Sequence, residues 1–339
     1  MRFRRYTKIV SGIPARPLVA VLGPTASGKS ALALLLARQF NGEIVNCDSL
    51  QIYRGFDIGT AKTPPADRLG IPHHLIDILD PLDSCDAGRF ASLARPILSD
   101  VSSRGRLPVL AGGTGFYLRA TLDGLSPGPQ RDPALRQRLL SLEARRPGRL
   151  HRLLLRLDPP TAARIHLNDH QKLVRALEIC LLAGRPASSL FSAGAAPLSG
   201  FAPLKLILLP EREALRAQIA LRTRQIFESG LVEEVRQLLC QGLPATAKPL
   251  EAIGYKEALG VIEGRLPLNQ AIQLTFFATC QYAKRQVTWF RREPGAYLLH
   301  GFGGDLSIAS DAAGIVRSFL QSLHSPPSLF SEPNPSSCV

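Results

Sequence analysis

LVAVLGPTASGKSALALLLA, Leu18 to Ala37, is the stretch from which the fold can be read. An apolar run, Leu18 to Leu22, enters GPTASGKS, and a helical run, Ala31 to Ala37, leaves it. The central segment matches G-x-x-x-x-G-K-[ST], a phosphate-binding loop, in the strand-then-helix setting that the motif requires. Gly23 and Gly28 permit backbone angles that aim successive amide N–H groups at phosphate oxygens, and the helix start adds its positive dipole end. Gly23, Pro24, Thr25, Ala26, Ser27, Gly28, Lys29 and Ser30 are thus the expected phosphate cradle. Lys29 would contribute a point charge and the Ser30 hydroxyl a ligand for Mg²⁺.

Outward from the loop, Glu43 to Cys47 reads as a second strand that delivers Asp48 to its C-terminal end, the edge where open α/β sheets bind ligands. Leu75 to Leu79 and Leu107 to Ala111 read as further buried strands, with a helix from Asp86, its N-cap, to Ser103 between them. The last strand runs into the turn Gly112-Gly113-Thr114-Gly115. Strand and helix alternate, so the expected class is α/β, a P-loop NTPase-like parallel sheet.

From Ser126 the texture changes. SPGPQRDP is a linker by composition, and an Arg- and Leu-rich helical stretch follows, including Gln171 to Leu182. Ala193 to Pro203 is loop-like, and Lys205 to Leu209 looks like a strand returning to the core. The expected organisation is a core over 17–125, a helical insertion over 126–200, a mostly helical second part of the core over 201–321, and a disordered Pro- and Ser-rich tail over 322–339. In the second part the expected helices are Glu211 to Ser229, Leu231 to Cys240, Tyr255 to Ile262 and Leu268 to Phe290. Gly230, Gly242 and Gly264 stop the first three. Ala296 to Leu299 reads as a late strand.

The formal charge of +14 suggests a polyanionic partner, and its distribution is more telling. Ser126 to Gly200 holds 12 Lys and Arg against 5 Asp and Glu, a surplus with no evident acidic partners in the sequence. No apolar run reaches the ~18 residues of a membrane span, and the N-terminus lacks a signal peptide's apolar region. The six cysteines are scattered without a C-x-x-C pair, which suggests neither zinc nor disulfides and fits a cytoplasmic protein. Tyr53, His73 and His74 have no metal-ligand spacing around them and read equally as packing or hydrogen-bonding residues.

A nucleotide-hydrolysing P-loop protein carries a Mg²⁺-binding Asp at the end of a later strand. Here that position is Gly112, and the acid at the sheet edge is Asp48. A phosphate cradle with one carboxylate free to act as a base is a transferase arrangement. From spacing alone, Asp48 reads as readily as a helix cap or an outer-shell Mg²⁺ ligand as it does as a base.

Five further blocks carry a resemblance. CDSLQIYRGFDIGTAK (Cys47 to Lys62), PHHLIDILDP (Pro72 to Pro81), GGTGFYLRA (Gly112 to Ala120), IGYKE (Ile253 to Glu257) and AKRQVTWFRR (Ala283 to Arg292) together resemble the tRNA dimethylallyltransferase family. The resemblance implies transfer of a dimethylallyl group from dimethylallyl diphosphate to the exocyclic amine of the adenosine 3′ of the anticodon. It implies that the loop from Gly23 to Ser30 holds the donor's diphosphate with Mg²⁺, and that Asp48, Thr114 and Arg222 sit at the reacting groups, Asp48 as general base. Asp48, Ser49, Leu50 and Gln51 would receive the adenine. Arg136, Gln171, Lys172, Leu173, Val174, Arg175, Gly254, Tyr255, Lys256, Lys284, Arg285, Gln286, Trp289 and Arg291 would hold the anticodon arm of tRNA. Trp289 reads either as a base-stacking ring or as a core anchor. A monomer is expected.

The chain departs from the family pattern at Cys280, where Arg is common, and at Cys85 and Asp86, where Tyr and Ser are common. Asp86 can cap a helix as Ser would. The other readings are an adenylate isopentenyltransferase, which needs no basic insertion, a P-loop kinase, and a non-catalytic RNA-binding protein.

Overall fold

The structure is a computed structural model and describes residues 15–126, 128–192 and 195–324. In chain order the first elements are β1 (Arg16–Leu22), α1 (Lys29–Gln39), β2 (Gly42–Asn46), β3 (His73–His74), α2 (Ala87–Ser103), β4 (Leu107–Gly112) and α3 (Gly115–Leu122). Five helices follow, α4 (Pro133–Arg145), α5 (Arg149–Leu157), α6 (Pro159–Ala162), α7 (His170–Ala183) and α8 (Ala187–Ser192). The chain continues through β5 (Phe201–Leu208), α9 (Arg212–Glu228), α10 (Leu231–Cys240), α11 (Tyr255–Ile262), α12 (Leu268–Phe290), β6 (Ala296–Leu299) and α13 (Leu306–His324). Among the described residues, one compact unit takes 15–121 and 199–324; the other lies within Leu122–Leu198.

In the first unit the strands form one parallel sheet in the order β3-β2-β4-β1-β5-β6. Strands covered on both faces need continuous apolar runs, which is why Leu18 to Leu22 and Leu107 to Ala111 show no alternation and are buried throughout. β1 pairs with β4 on one side and β5 on the other, with Val19 opposite both Val109 and Leu204. β2, β4 and β1 are neighbours, so the segments after their C-terminal ends emerge side by side. Those segments are Asp48, the GGTG turn and the phosphate loop.

Leu75 to Leu79, expected as a strand, is not one. Leu75 and Asp77 take φ values of +60° and +57°, which break extended pairing, and Ile78 and Leu79 instead donate their N–H groups to Ile52 O. β5 begins at Phe201, inside the stretch expected to be loop. No helix was expected between Leu299 and the tail, yet α13 runs to His324, through the first three residues of the segment expected to be disordered. Its Ile308, Ala309, Ala312, Ala313 and Val316 follow helical spacing and pack in the cluster with α1 and the strands. The rest of that tail, 325–339, and the N-terminal extension lie outside the described residues.

The second unit is built around Leu139, Leu150, Leu154, Leu173, Val174 and Leu177. Five of its acidic residues are spent on its own architecture. Asp132, Asp158 and Asp169 cap α4, α6 and α7 by accepting from Leu135 N, Thr161 N and Lys172 N. Glu143 accepts from Gly148 N and Leu150 N, fixing the start of α5. Fully buried Glu178 accepts from Asp132 N and from Arg136 and Arg175, tying the start of α4 to α7.

Candidate functional site

The phosphate loop is shaped by close approach as much as by dihedral angle. Gly23 and Gly28 have φ of +149° and +82°; a Cβ on Gly23 would lie 2.7 Å from Leu208 O, and one on Gly28 2.8 Å from Gly303 N. Gly28 starts α1 without a side-chain cap, which leaves first-turn amides open to an anion. Lys29 Nζ donates to Pro24 O at 2.6 Å, folding back over the loop. Burial, and then the nearby Arg222 charge, pull the Lys29 pKa down to about 7, with Asp48 acting in the other direction.

Asp48 follows β2 after Cys47, whose N–H donates to Ala111 O and whose carbonyl accepts from Thr114 N at 3.4 Å. These bonds join the Asp48 segment to the GGTG turn. Asp48 Oδ1 accepts from Leu50 N (2.9 Å) and Gln51 N (3.3 Å), so it caps a turn and not a helix. Its Oδ2 has no hydrogen-bond partner among the described residues and is available to take a proton.

The glycines of the turn leave space for three different neighbours. A Cβ on Gly112 would fall 2.0 Å from Cys47 O, on Gly113 2.5 Å from Gln286 Nε2, and on Gly115 2.3 Å from Trp289 Nε1. Thr114 Oγ1, Ser27 Oγ and Trp289 Nε1 are buried without a hydrogen-bond partner, three of the four such side-chain atoms among the described residues. Buried polar atoms are rarely left so, and their clustering around one loop and one turn is what a ligand-binding centre shows.

Arg222 reaches in from α9, donating through Nη2 to Thr60 O at 3.2 Å. Burial lowers its pKa and the Asp48 charge opposes that. Gln51 Nε2 donates to the same Thr60 carbonyl. The segment carrying it is held from α10, where Glu234 accepts from Asp57 N, Ile58 N and Gly59 N and from the Tyr255 hydroxyl. Lys62, buried, donates to Tyr53 O, Asp57 and Asp77 and secures the other end. Sequence reasoning did not single out Glu234 or Lys62, because their partners are backbone groups and distant acids.

It also missed Tyr282, whose hydroxyl pKa is raised by burial and then by the Asp48 charge. A signal was available: Tyr282, Gln286 and Trp289 share one face of α12 at i, i+4 and i+7. Lys284, Arg285 and Arg291 are exposed. The Trp289 ring lies beneath Arg119, 4.5 Å from its guanidinium carbon, with its indole nitrogen against Gly115.

Several residues that the resemblance assigns to tRNA face inward. Leu173 and Val174 are in the core of the helical unit, Tyr255 is fully buried on Glu234, and Gln286 is 6% exposed. Lys256 is exposed and Gly254 starts α11, donating its N–H to Glu257. Gln171 and Lys172 are exposed, Ser49, Leu50 and Gln51 half-buried. The insertion's cations are not all without partners: Arg136 and Arg175 share Glu178, and Lys172 pairs with Asp169. The Arg136–Glu178 pair joins residues 42 positions apart and cannot be read from local charge, whereas Lys172–Asp169 and Arg175–Glu178 are local, at a spacing of three. Arg138, Arg145, Arg149, Arg152 and Arg156 form no ion pair among the described residues. Cys280, the departure from the family pattern, lies beside the Arg216 guanidinium, 4.0 Å from Sγ. Asp86 caps α2 through Arg89 N. His74 pairs with buried Glu43, and His73 Nδ1 lies 2.8 Å from Ile71 O.

A family model described as IPP transferase matches residues 51–293. A tRNA dimethylallyltransferase of Solibacter usitatus is 58% identical over 304 residues, covering 90% of this chain and 99% of that one. Its namesake in Koribacter versatilis is 47% identical over 301 residues, covering 88% and 98%. Among solved structures, the full-length tRNA isopentenylpyrophosphate transferase of Bacillus halodurans matches with a TM-score of 0.68 and 35% identity, covering 91% of this chain and 98% of that one. A eukaryotic dimethylallyltransferase acting on tRNA matches with a TM-score of 0.78 and 29% identity, covering 94% and 82%.

Proposed function

The chain belongs to the IPP transferase family, the tRNA dimethylallyltransferases, and we propose that it transfers the dimethylallyl group of dimethylallyl diphosphate to the exocyclic amine of the adenosine 3′ of the anticodon. The amine nitrogen bonds to the allylic carbon, the carbon–oxygen bond breaks, and diphosphate leaves. The amine proton passes to Asp48 Oδ2. Lys29, Arg222 and the open amides of the phosphate loop stabilise the charge that collects on the departing diphosphate. Thr114, with its unpartnered buried hydroxyl, has hydrogen-bonding capacity to spend on the reacting groups.

The observation that carries this reading is electrostatic. The charge of the Asp48 carboxylate is felt by Lys29, Arg222 and Tyr282, and one of its oxygens has no hydrogen-bond partner among the described residues. On this reading a phosphate cradle and a base share one centre, as displacement of diphosphate by an amine requires.

Mg²⁺ fits the same corner. The exposed Ser30 hydroxyl makes no hydrogen bond to the protein, and no group of three or more His, Cys, Asp or Glu able to hold a metal occurs among the described residues. The ion would be held by Ser30, donor phosphate oxygens and water, and when bound it supplies charge neutralisation on the diphosphate.

The target base must leave its stack to react. Exposed Gln171, Lys172, Lys256, Lys284, Arg285 and Arg291 and the arginines of α4 and α5 are suited to gripping the anticodon arm meanwhile. The working unit of this reading is the monomer. No helix among the described residues is long and apolar enough to cross a membrane.

The test is incubation with labelled dimethylallyl diphosphate and either bulk tRNA or free AMP, ADP or ATP. Label recovered as isopentenyladenosine next to the anticodon supports the reading. Label recovered only on free nucleotide would move the chain to the adenylate-modifying enzymes.

A further inference from the structure

Gln286 lies in the AKRQVTWFRR block, among residues assigned by resemblance to tRNA, but both ends of its amide are engaged inside the protein. Oε1 accepts from Thr25 N in the phosphate loop at 2.8 Å, and Nε2 donates to Gly113 O in the GGTG turn at 2.8 Å. The two partners belong to neighbouring structures: a Cβ built on Gly113 would stand 3.6 Å from Gly23 O as well as 2.5 Å from Gln286 Nε2. Gly113 lacks a side chain where the amide needs the room.

The residue type follows from the partners. One is an N–H and the other a carbonyl, so the side chain between them must present an acceptor and a donor side by side on one carbon. An amide does this; an ionised carboxylate offers two acceptors, and an apolar side chain neither. The same helix face carries Tyr282, which feels the Asp48 charge, and Trp289, which packs on Gly115.

We propose that Gln286 is a positioning residue: it sets the separation between the diphosphate cradle and the turn that carries Thr114, and so aligns the donor with the groups that act on it. This rests on the reading that the phosphate loop holds the donor's diphosphate. Gln286 thereby serves the donor, while Lys284 and Arg285 on the exposed side of α12 remain available to RNA.

Gln286→Glu tests it. When ionised, the new carboxylate keeps the Thr25 bond but faces the Gly113 carbonyl with a second acceptor. When protonated, its O–H restores the donor and the side chain copies the amide. Burial raises the pKa of such a carboxyl, which brings this switch into a workable range. The ratio of variant to parent kcat/KM for dimethylallyl diphosphate should be depressed ~10- to 100-fold at pH 8 and recover toward one as pH falls to about 5.5. The affinity for tRNA should not change at either pH. Gln286→Leu keeps the side-chain volume and loses both bonds, so its ratio should stay low at every pH.

Thermal unfolding of both variants is recorded at the same pH values, because a core-filling role alone would be served by Leu. A ratio for Gln286→Glu that is flat with pH, or parent-like turnover by Gln286→Leu, would overturn the assignment. A parent that fails to modify tRNA would remove the functional reading and this inference with it. An active parent with a flat ratio removes only the inference.

Discussion

Lys29 links donor binding to pH, and the size of the effect can be worked out. In the free protein, burial and then the Arg222 charge hold its pKa at about 7 instead of 10.5. A diphosphate in the loop reverses that balance, since an adjacent anion favours the ammonium. Binding then takes up a proton from whatever fraction of Lys29 was neutral beforehand, which for a pKa of about 7 is about 0.9 at pH 8 and about 0.1 at pH 6. Donor affinity should correspondingly weaken up to ~tenfold per unit above pH 7. Calorimetric titration with dimethylallyl diphosphate, without tRNA and in buffers of different ionisation enthalpy, counts the protons. Lys29→Arg is the comparator, because a guanidinium stays charged in both states. Protons taken up by the donor itself are common to parent and variant and cancel in the difference. A difference near zero at pH 8, or one that does not grow between pH 6 and pH 8, refutes the assignment of Lys29 to the diphosphate.

Arg222→Ala should lower donor-dependent turnover ~100-fold or more while tRNA affinity stays within a few-fold, measured by steady-state kinetics and filter binding; a defect confined to tRNA affinity would contradict its place at the diphosphate. On the insertion, Arg138→Ala with Arg145→Ala should make the fall of log tRNA affinity with log salt shallower by ~1–2 units, since neither side chain is occupied by an internal acid. Parallel salt plots for parent and double variant would show that these side chains merely solvate α4. Glu43 is held at a pKa of about 2, chiefly by the Arg104 hydrogen bonds, against burial and with help from His74. A depressed carboxylate stabilises above its unfolded value of 4.5 and loses that contribution as pH falls through about 2. Glu43→Gln should therefore cost about 1 kcal/mol at pH 7, where Arg104 is half-exposed and the pair is partly screened, and progressively less below pH 4.5 in chemical denaturation. A gap between parent and variant that stays constant down to pH 2 would contradict this.

What the sequence discloses is what local chemistry determines. The phosphate loop is legible because its glycines, lysine and serine stand at fixed spacing between an apolar run and a helix. The helices from α9 to α12 are legible because Gly230, Gly242 and Gly264 stop three of them. Leu75 to Leu79 misleads because an apolar run does not reveal that Leu75 and Asp77 take left-handed angles. α13 escapes notice because its buried face is built largely from alanines, Ala309, Ala312 and Ala313, a weak hydrophobic signal. Within the candidate site, Asp48 and the GGTG turn are readable as sheet-edge features. The work of Gln286, Glu234 and Lys62 is not, because their partners are mostly backbone groups or lie far along the chain. The resemblance identifies the AKRQVTWFRR block as functional without separating the side chains that face solvent from the one that spans loop and turn.

The central claim is that Asp48 takes the amine proton beside a diphosphate cradle, and single-turnover transfer by Asp48→Asn tests it most directly. Asn keeps the shape of Asp and can still accept from Leu50 N and Gln51 N, so the turn and tRNA affinity should persist within a few-fold. The base is lost, and the rate of isopentenyladenosine formation from saturating dimethylallyl diphosphate and tRNA should fall by ~10²- to 10⁴-fold. A variant that binds tRNA and forms product at the parent rate would contradict the account and leave Asp48 as a turn cap alone.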